Sequence, residues 1–211
     1  TAIEELARRG LGNSDAIEAL VHAAQDSNIS IQLEAIKALG RLAPSEQSAV
    51  DGLVAMLRRP GKTNVRVEAA RTLARVGEPA AAATIPLLLH ECALVTSPLY
   101  LPGRDEVVKL FGHAAIEPAI ADAEKTGKIL ENVIFLLMHF PDVRLPHRCL
   151  PLLTGEYEKK NDGSRLAIEL MAKIESPCPE LVARLERWQQ SEKDPARCTA
   201  IREALEVHGK G

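Results

Sequence analysis

The chain has 211 residues, a formal net charge of −3, 46% hydrophobic residues and 3% aromatic ones. That charge gives no general attraction for nucleic acid, whose binding is dominated by phosphate neutralisation. The longest apolar run, Val133 to Met138, falls far short of the roughly 18–20 residues that cross a bilayer. With three Phe, two Tyr and one Trp, the core must be built from Ala, Leu, Val and Ile, which suits closely packed helices.

Residues 1–9 and 14–25 are predicted as a first helix pair, with Ile17, Leu20, Val21 and Ala24 on one face of the second helix. The stretch that follows, IQLEAIKALGRLAP at 31–44, returns thirty-four positions later as VRVEAARTLARVGEPA at 65–80. Glu34/Glu68, Ala35/Ala69, Leu39/Leu73 and Arg41/Arg75 are identical pairs, and Ile31/Val65, Gln32/Arg66, Lys37/Arg71 and Leu42/Val76 are similar ones. At 100° per residue, Val65, Ala69, Leu73 and Val76 share one helix face while Glu68, Arg71 and Arg75 gather on the other. Each copy ends at a helix stop, Ala43-Pro44 or Gly77-Glu78-Pro79, and proline suits the first turn of a following helix.

A second helix follows each copy. Over 46–58 the stripe is Val50, Leu53, Val54 and Leu57; over 79–92 it is Ile85, Leu88, Leu89 and Cys92. The unit is therefore helix, sharp turn, helix. One pair cannot bury its apolar face alone, and stacked pairs can, which is the logic of a solenoid. Further helices are predicted at 104–113, 116–126, 129–139, 145–159, 164–174, 178–190 and 195–207, separated by turn signals such as Thr126-Gly127, Asn161-Asp162-Gly163 and Asp194-Pro195. Residues 93–103, ALVTSPLYLPG, carry two prolines and no helical period, and read as a long loop between repeats. The four cysteines, Cys92, Cys149, Cys178 and Cys198, form no C-x-x-C pair, which leaves a zinc or redox motif unsupported. Cys92 and Cys149 fall on apolar faces as small core residues.

The repeated stretch resembles the HEAT-like repeat family, in particular its short bacterial type, which is also found in phycobilisome-lyase-related proteins. Val65, Arg66, Glu68, Ala69, Ala70, Leu73, Val76 and Gly77, then Ile85, Leu88 and Leu89, match that pattern. Residues 31–57 are a second match, and Ala167, Ile168, Met171, Ile174, Leu181 and Leu185 a weaker third. The resemblance implies an all-α right-handed superhelix of about six antiparallel helix pairs, a single domain over 1–211, with second helices lining the concave side. It also implies binding of another protein, or of another domain of a larger chain. The iron site of HEAT-like hydroxylases needs several His-Glu pairs, and this chain has only His90-Glu91. Neither a metal nor a cofactor is expected.

Four sets of candidate residues emerge. His90 and Glu91 lie off the apolar stripe of their helix and could face a partner. Residues 58–77 hold Arg58, Arg59, Lys62, Arg66, Arg71 and Arg75 against Glu68 alone, either a solvated face or a basic patch for an acidic partner or phosphate. No aromatic residue interleaves it for base stacking, which disfavours nucleic acid. Leu99, Tyr100 and Leu101 sit in a proline-framed loop, as a surface anchor or as a cover over the slipped repeat. The concave wall would present Met56, Arg148, Arg184 and Arg187 beside His90 and Glu91. Trp188, in phase with Leu181 and Leu185, reads as core. No G-x-S-x-G, P-loop or H-E-x-x-H pattern occurs. The expected role is a non-catalytic protein-binding scaffold. The alternatives are a chromophore-lyase-like or other HEAT-like enzyme, and nucleic-acid binding through 58–75. The chain opens on Thr1 with no signal-like segment, the pattern of an excised domain or processed chain in a reducing, cytoplasmic setting.

Overall fold

The computed structural model describes residues 2–60, 63–92, 101–127, 131–140, 144–161, 163–175 and 178–208. These residues are all-α, and the only β pairing among them is an isolated parallel bridge between Leu145 and Ile174. They divide into two compact units, 1–119 and 120–211, within the span expected as one domain.

The first unit contains α1 (Ala2–Arg9), α2 (Ser14–Ala23), α3 (Ile29–Leu42), α4 (Gln47–Leu57), α5 (Thr63–Val76), α6 (Glu78–Leu89) and α7 (Arg104–Phe111), then a 3-10 turn, Gly112–Ala115. Local chemistry sets the helix starts. Asn13 and Asn28 stand at N-caps, their side-chain oxygens accepting from the N–H of Ala16 at 3.1 Å and of Ser30 at 2.9 Å, which satisfies donors the helix cannot. Gly77, at φ +78°, makes the corner between α5 and α6, and Pro79 opens α6, where its missing N–H costs nothing.

Such short corners turn successive helices antiparallel, so alternate helices run the same way. The packing follows. Helices α1, α3, α5 and α7 touch in series as one layer; α2, α4 and α6 touch in series as a second. Leu39, Leu53, Leu57, Leu73, Ile85 and Leu88, which carry the two periodic stripes, are all fully buried between the layers. Glycines set how closely neighbours approach within a layer. A Cβ on Gly40 of α3 would lie 2.3 Å from Thr72 Cγ2 of α5, and one on Gly52 of α4 would lie 2.5 Å from Val21 Cγ2 of α2. Gly40→Ala thus sets a helix-propensity gain of about 1 kcal/mol against an overpacking cost of about 1–3 kcal/mol on a stiff β-branched neighbour. A lowered denaturation midpoint is expected, recovered by adding Thr72→Ser, which removes the clashing methyl. A midpoint that rises with Gly40→Ala alone would refute the close approach.

The division into units falls within α8 (Ile116–Thr126). The second unit continues with α9 (Glu131–Met138), a 3-10 turn (His147–Cys149), α10 (Leu150–Glu158), α11 (Gly163–Met171), α12 (Pro179–Ser191) and α13 (Pro195–His208). Here α9, α11 and α13 touch in series, while α10 packs on α11 and α12 on α13. The residues of the weaker third match, Ala167, Ile168, Met171, Ile174, Leu181 and Leu185, are fully buried. The helix predicted over 145–159 starts late. Pro146 favours an extended residue before it, and Leu145 pairs with Ile174, its N–H reaching Lys173 O at 2.8 Å and its carbonyl taking the Glu175 N–H at 2.9 Å. The same pairing ends α11 before residue 174. Trp188 is half-buried rather than core, its ring 4.1 Å from that of Tyr157.

One charged hub lies inside the second unit. The Glu192 side chain, 5% exposed, sits between α12 and α13. It accepts from Tyr157 Oη at 2.6 Å, from Lys160 Nζ at 2.7 Å and from the backbone N–H of Lys193 and Asp194 at 2.9 and 3.1 Å, and it pairs with Arg197 at 3.2 Å. The Lys160 ammonium also stands 3.6 Å from the Tyr157 ring centroid. The hub ties the end of α10 to the α12–α13 turn.

Candidate functional site

The second-helix layer of the first unit carries an open groove of about 640 Å³ between α4 and α6. Helix α4 contributes Asp51, Val54, Ala55 and Arg58, spaced i, i+3, i+4 and i+7, the spacing that lines one helix face. Helix α6 contributes Ala82, Ala83, Pro86 and Leu87, with Glu91 just past its end. Val54 and Leu87 are buried and form the floor. The alanines keep the walls low. Pro86 lies inside α6 and has no N–H to give the Ala82 carbonyl. On the rim, Asp51, Arg58 and Glu91 are exposed. Asp51 holds the Gln47 amide at 3.0 Å; Arg58 and Glu91 make no ion pair among the described residues.

The site joins residues from separate candidate sets. Arg58 came from the basic segment and Glu91 from the His90-Glu91 pair. His90 itself ends α6, half-buried, its N–H on Pro86 O at 3.0 Å. Met56 is not a wall residue open to solvent: it is 2% exposed and lines a small recess of about 100 Å³ with Gln32, Arg59 and Arg66. Arg148, Arg184 and Arg187 belong to the second unit. Arg148 pairs with Glu124 at 3.0 Å and Arg184 with Glu180 of its own helix at 2.9 Å, while Arg187 is exposed on α12. Leu99, Tyr100 and Lys62 lie outside the described residues. Leu101 is buried, its N–H on Cys92 O at 3.2 Å.

The basic segment does not form a single patch. Arg66 is 2% exposed, its Nε donating to the carbonyl of Leu57 at 3.0 Å and its Nη2 standing 3.9 Å from Cys92 Sγ. The apolar phase alone could not place it, because Arg66 adjoins the buried stripe and its long stem can lie along it. Its partner, Leu57, ends α4, where carbonyls lack intrahelical donors. Gln32, its counterpart one repeat earlier, is also buried and donates to the carbonyl of Asp26, after α2. In the second unit Ser164 donates to Glu156 O at 3.3 Å, at the end of α10, and Lys173 to Phe140 O at 2.7 Å, past α9. Of the remaining basic residues, Arg58 lines the groove, Arg59 borders the recess, and Arg71 and Arg75 stand on the exposed side of α5 in the other layer.

Among the described residues, no His, Cys, Asp or Glu side chains gather in threes as a metal site would need, and no helix is long and apolar enough to cross a membrane. All four cysteines are unbridged thiols, with Cys92, Cys149 and Cys178 buried. Burial pushes the Cys92 thiol up from its ordinary value, the Arg66 charge pulling the other way.

A two-layered stack of helix pairs with an open groove along its second layer is the architecture of a helical-repeat protein. Residues 1–63, which span α1 to α4, match the family model for HEAT repeats. No curated protein matches the chain.

Proposed function

We propose that the chain is a non-catalytic protein-binding scaffold, and that the groove between α4 and α6 holds a short segment of its partner, whether a separate protein or another domain of a longer chain. One observation carries this reading. The groove combines an apolar floor, low alanine walls and a charged rim on which Arg58 and Glu91 make no ion pair among the described residues, all on two packed helices. Its length from Asp51 to Arg58, two helical turns, is about 10 Å, which suits roughly three extended residues. Burying two or three apolar side chains there gives roughly 3–9 kcal/mol before the cost of association, so the groove serves as an anchor within a larger footprint. The narrower resemblance to phycobilisome-lyase-related proteins rests on the motif at 65–89 alone, and nothing in the groove favours a pigment over a peptide.

The test is capture from nuclease-treated source-cell lysate with the wild-type chain and with Ala55→Trp, an exposed position whose ring fills the groove. A stoichiometric protein that binds the wild type and is depleted by about tenfold or more with the variant, at unchanged melting temperature, supports the proposal. Equal capture by both chains would remove the groove from consideration. Visible absorbance in the eluate, without protein, would favour the lyase-like alternative.

A further inference from the structure

We propose that Lys37, Arg41, Arg71 and Arg75 form a second interaction surface, on the first-helix layer away from the α4–α6 groove, and that it takes an extended acidic polypeptide segment. The four residues belong to two copies of the repeat and are brought together by the packing of α3 on α5. Helices α3 and α5 pack side by side and run the same way, and Gly40 of α3 lies against Thr72 of α5. At 100° per residue, Gly40 lies about 80° to one side of the direction midway between Lys37 and Arg41, and Thr72 about 80° to the other side of that between Arg71 and Arg75. The contact therefore turns both cation pairs to the same side, and all four residues are exposed.

With Gly40 opposite Thr72, the order along the axes is Lys37, Arg71, Arg41, Arg75, alternating between helices in steps of about 3 Å. Helix axes about 8 Å apart then give a zigzag of cations about 8–9 Å from one to the next. Lys37, Arg41 and Arg71 make no ion pair among the described residues; Arg75 reaches Glu68 only at 3.5 Å. Carboxylates lie before the zigzag and on the flanking helices. Glu34 and Glu68 precede it by one turn, Glu4 of α1 shares a small cleft with Glu34, Lys37 and Arg41, and on α7, which packs on α5, Asp105 and Glu106 are paired with Arg104 and Lys109 of the same helix. Alternate residues of an extended peptide lie about 6.5–7 Å apart on one face, close to the axial rise of about 6 Å from Lys37 to Arg41 and from Arg71 to Arg75. Neither α3 nor α5 has an aromatic residue on which a base could stack, which favours an acidic polypeptide over nucleic acid.

The test is fluorescence anisotropy with a labelled octapeptide alternating Glu and Ser, its Lys–Ser counterpart, and a short DNA duplex. The Glu–Ser peptide is expected to bind at low salt and to weaken at high salt. The paired reversal Lys37→Glu with Arg71→Glu should weaken it by about tenfold or more, while Ala55→Trp leaves it unchanged, which separates this surface from the groove. Should the reversal perturb the circular dichroism melt, Lys37→Gln with Arg71→Gln replaces it, with a smaller loss in the same direction. No binding at low salt, binding undiminished in the charge variants, equal binding of the Lys–Ser peptide, or tighter binding of the duplex would each overturn the proposal.

Discussion

Replacing Arg66 with methionine is expected to destabilise the first unit by about 3 kcal/mol. Methionine keeps much of the aliphatic stem but none of the donors. The Leu57 carbonyl then loses the guanidinium 3.0 Å away, Arg66 being among the largest fully buried side chains. A buried polar group left unsatisfied costs about 1–3 kcal/mol, and hydrogen bonds from charged donors lie at the upper end. Lysine at this position would recover part of the loss, since it can reach one acceptor but lacks the fork. Hydrogen exchange read by mass spectrometry should show faster exchange concentrated in α4 and α5, with α10 to α13 unchanged. Uniform protection in the variant would mean that Arg66 merely fills space.

The second large effect is expected at Glu192. Burial alone would raise its carboxyl, but hydrogen bonds from Lys160, Tyr157, the Asp194 N–H and Arg197 outweigh burial and hold it well below the usual carboxylate range. Its folded-state ionisation therefore contributes stability that is present above the ordinary glutamate value near 4.3 and is lost as the pH falls below it. Tyr157 works in the opposite direction. Burial pushes its hydroxyl up, reinforced by the hydrogen bond to Glu192, so its contribution is present below about pH 10 and declines above it. Glu192→Gln removes the charge and strands two cations beside a tyrosine. A loss of about 2–3 kcal/mol is expected at neutral pH, below the 3–5 kcal/mol of a fully buried pair because Lys160 is half-exposed. The acid limb of the stability profile should flatten in the variant. Urea midpoints across pH, followed by Trp188 fluorescence beside Tyr157, measure both effects. An acid limb as steep in Glu192→Gln as in the wild type would refute the assignment.

Most of the helices were legible in the sequence because both copies of the repeat carry the same apolar phase, and phase sets which face is buried. Leu39 and Leu73, or Leu53 and Leu88, needed nothing more. The start of α10 was not legible, since it depends on Leu145 finding Ile174, a pairing that no local pattern encodes. The site was harder for a different reason. A run of arginines along the chain suggested one basic patch, yet consecutive residues on helices point to different layers, and the structure sends Arg66 inward, Arg58 to the groove and Arg71 with Arg75 to the opposite side. The grouping that the fold does produce, Lys37 with Arg71, was written in the repeat itself as matched positions thirty-four residues apart. The groove escaped notice because its walls are alanines, which carry no chemical signal until two helices set them face to face.

The side chains that reach back to the end of a preceding helix bear on how such a repeat can be copied. Gln32 spans six residues of chain to its carbonyl, Ser164 eight and Arg66 nine. Each residue is therefore fitted to its own corner, and the corner and the residue form one inheritable unit. A duplication that carried one without the other would leave a gap or a collision at every new junction. Lengthening or shortening this stack by whole repeats, in nature or at the bench, would keep its order when the cut falls before the helix end that is being answered and after the residue that answers it.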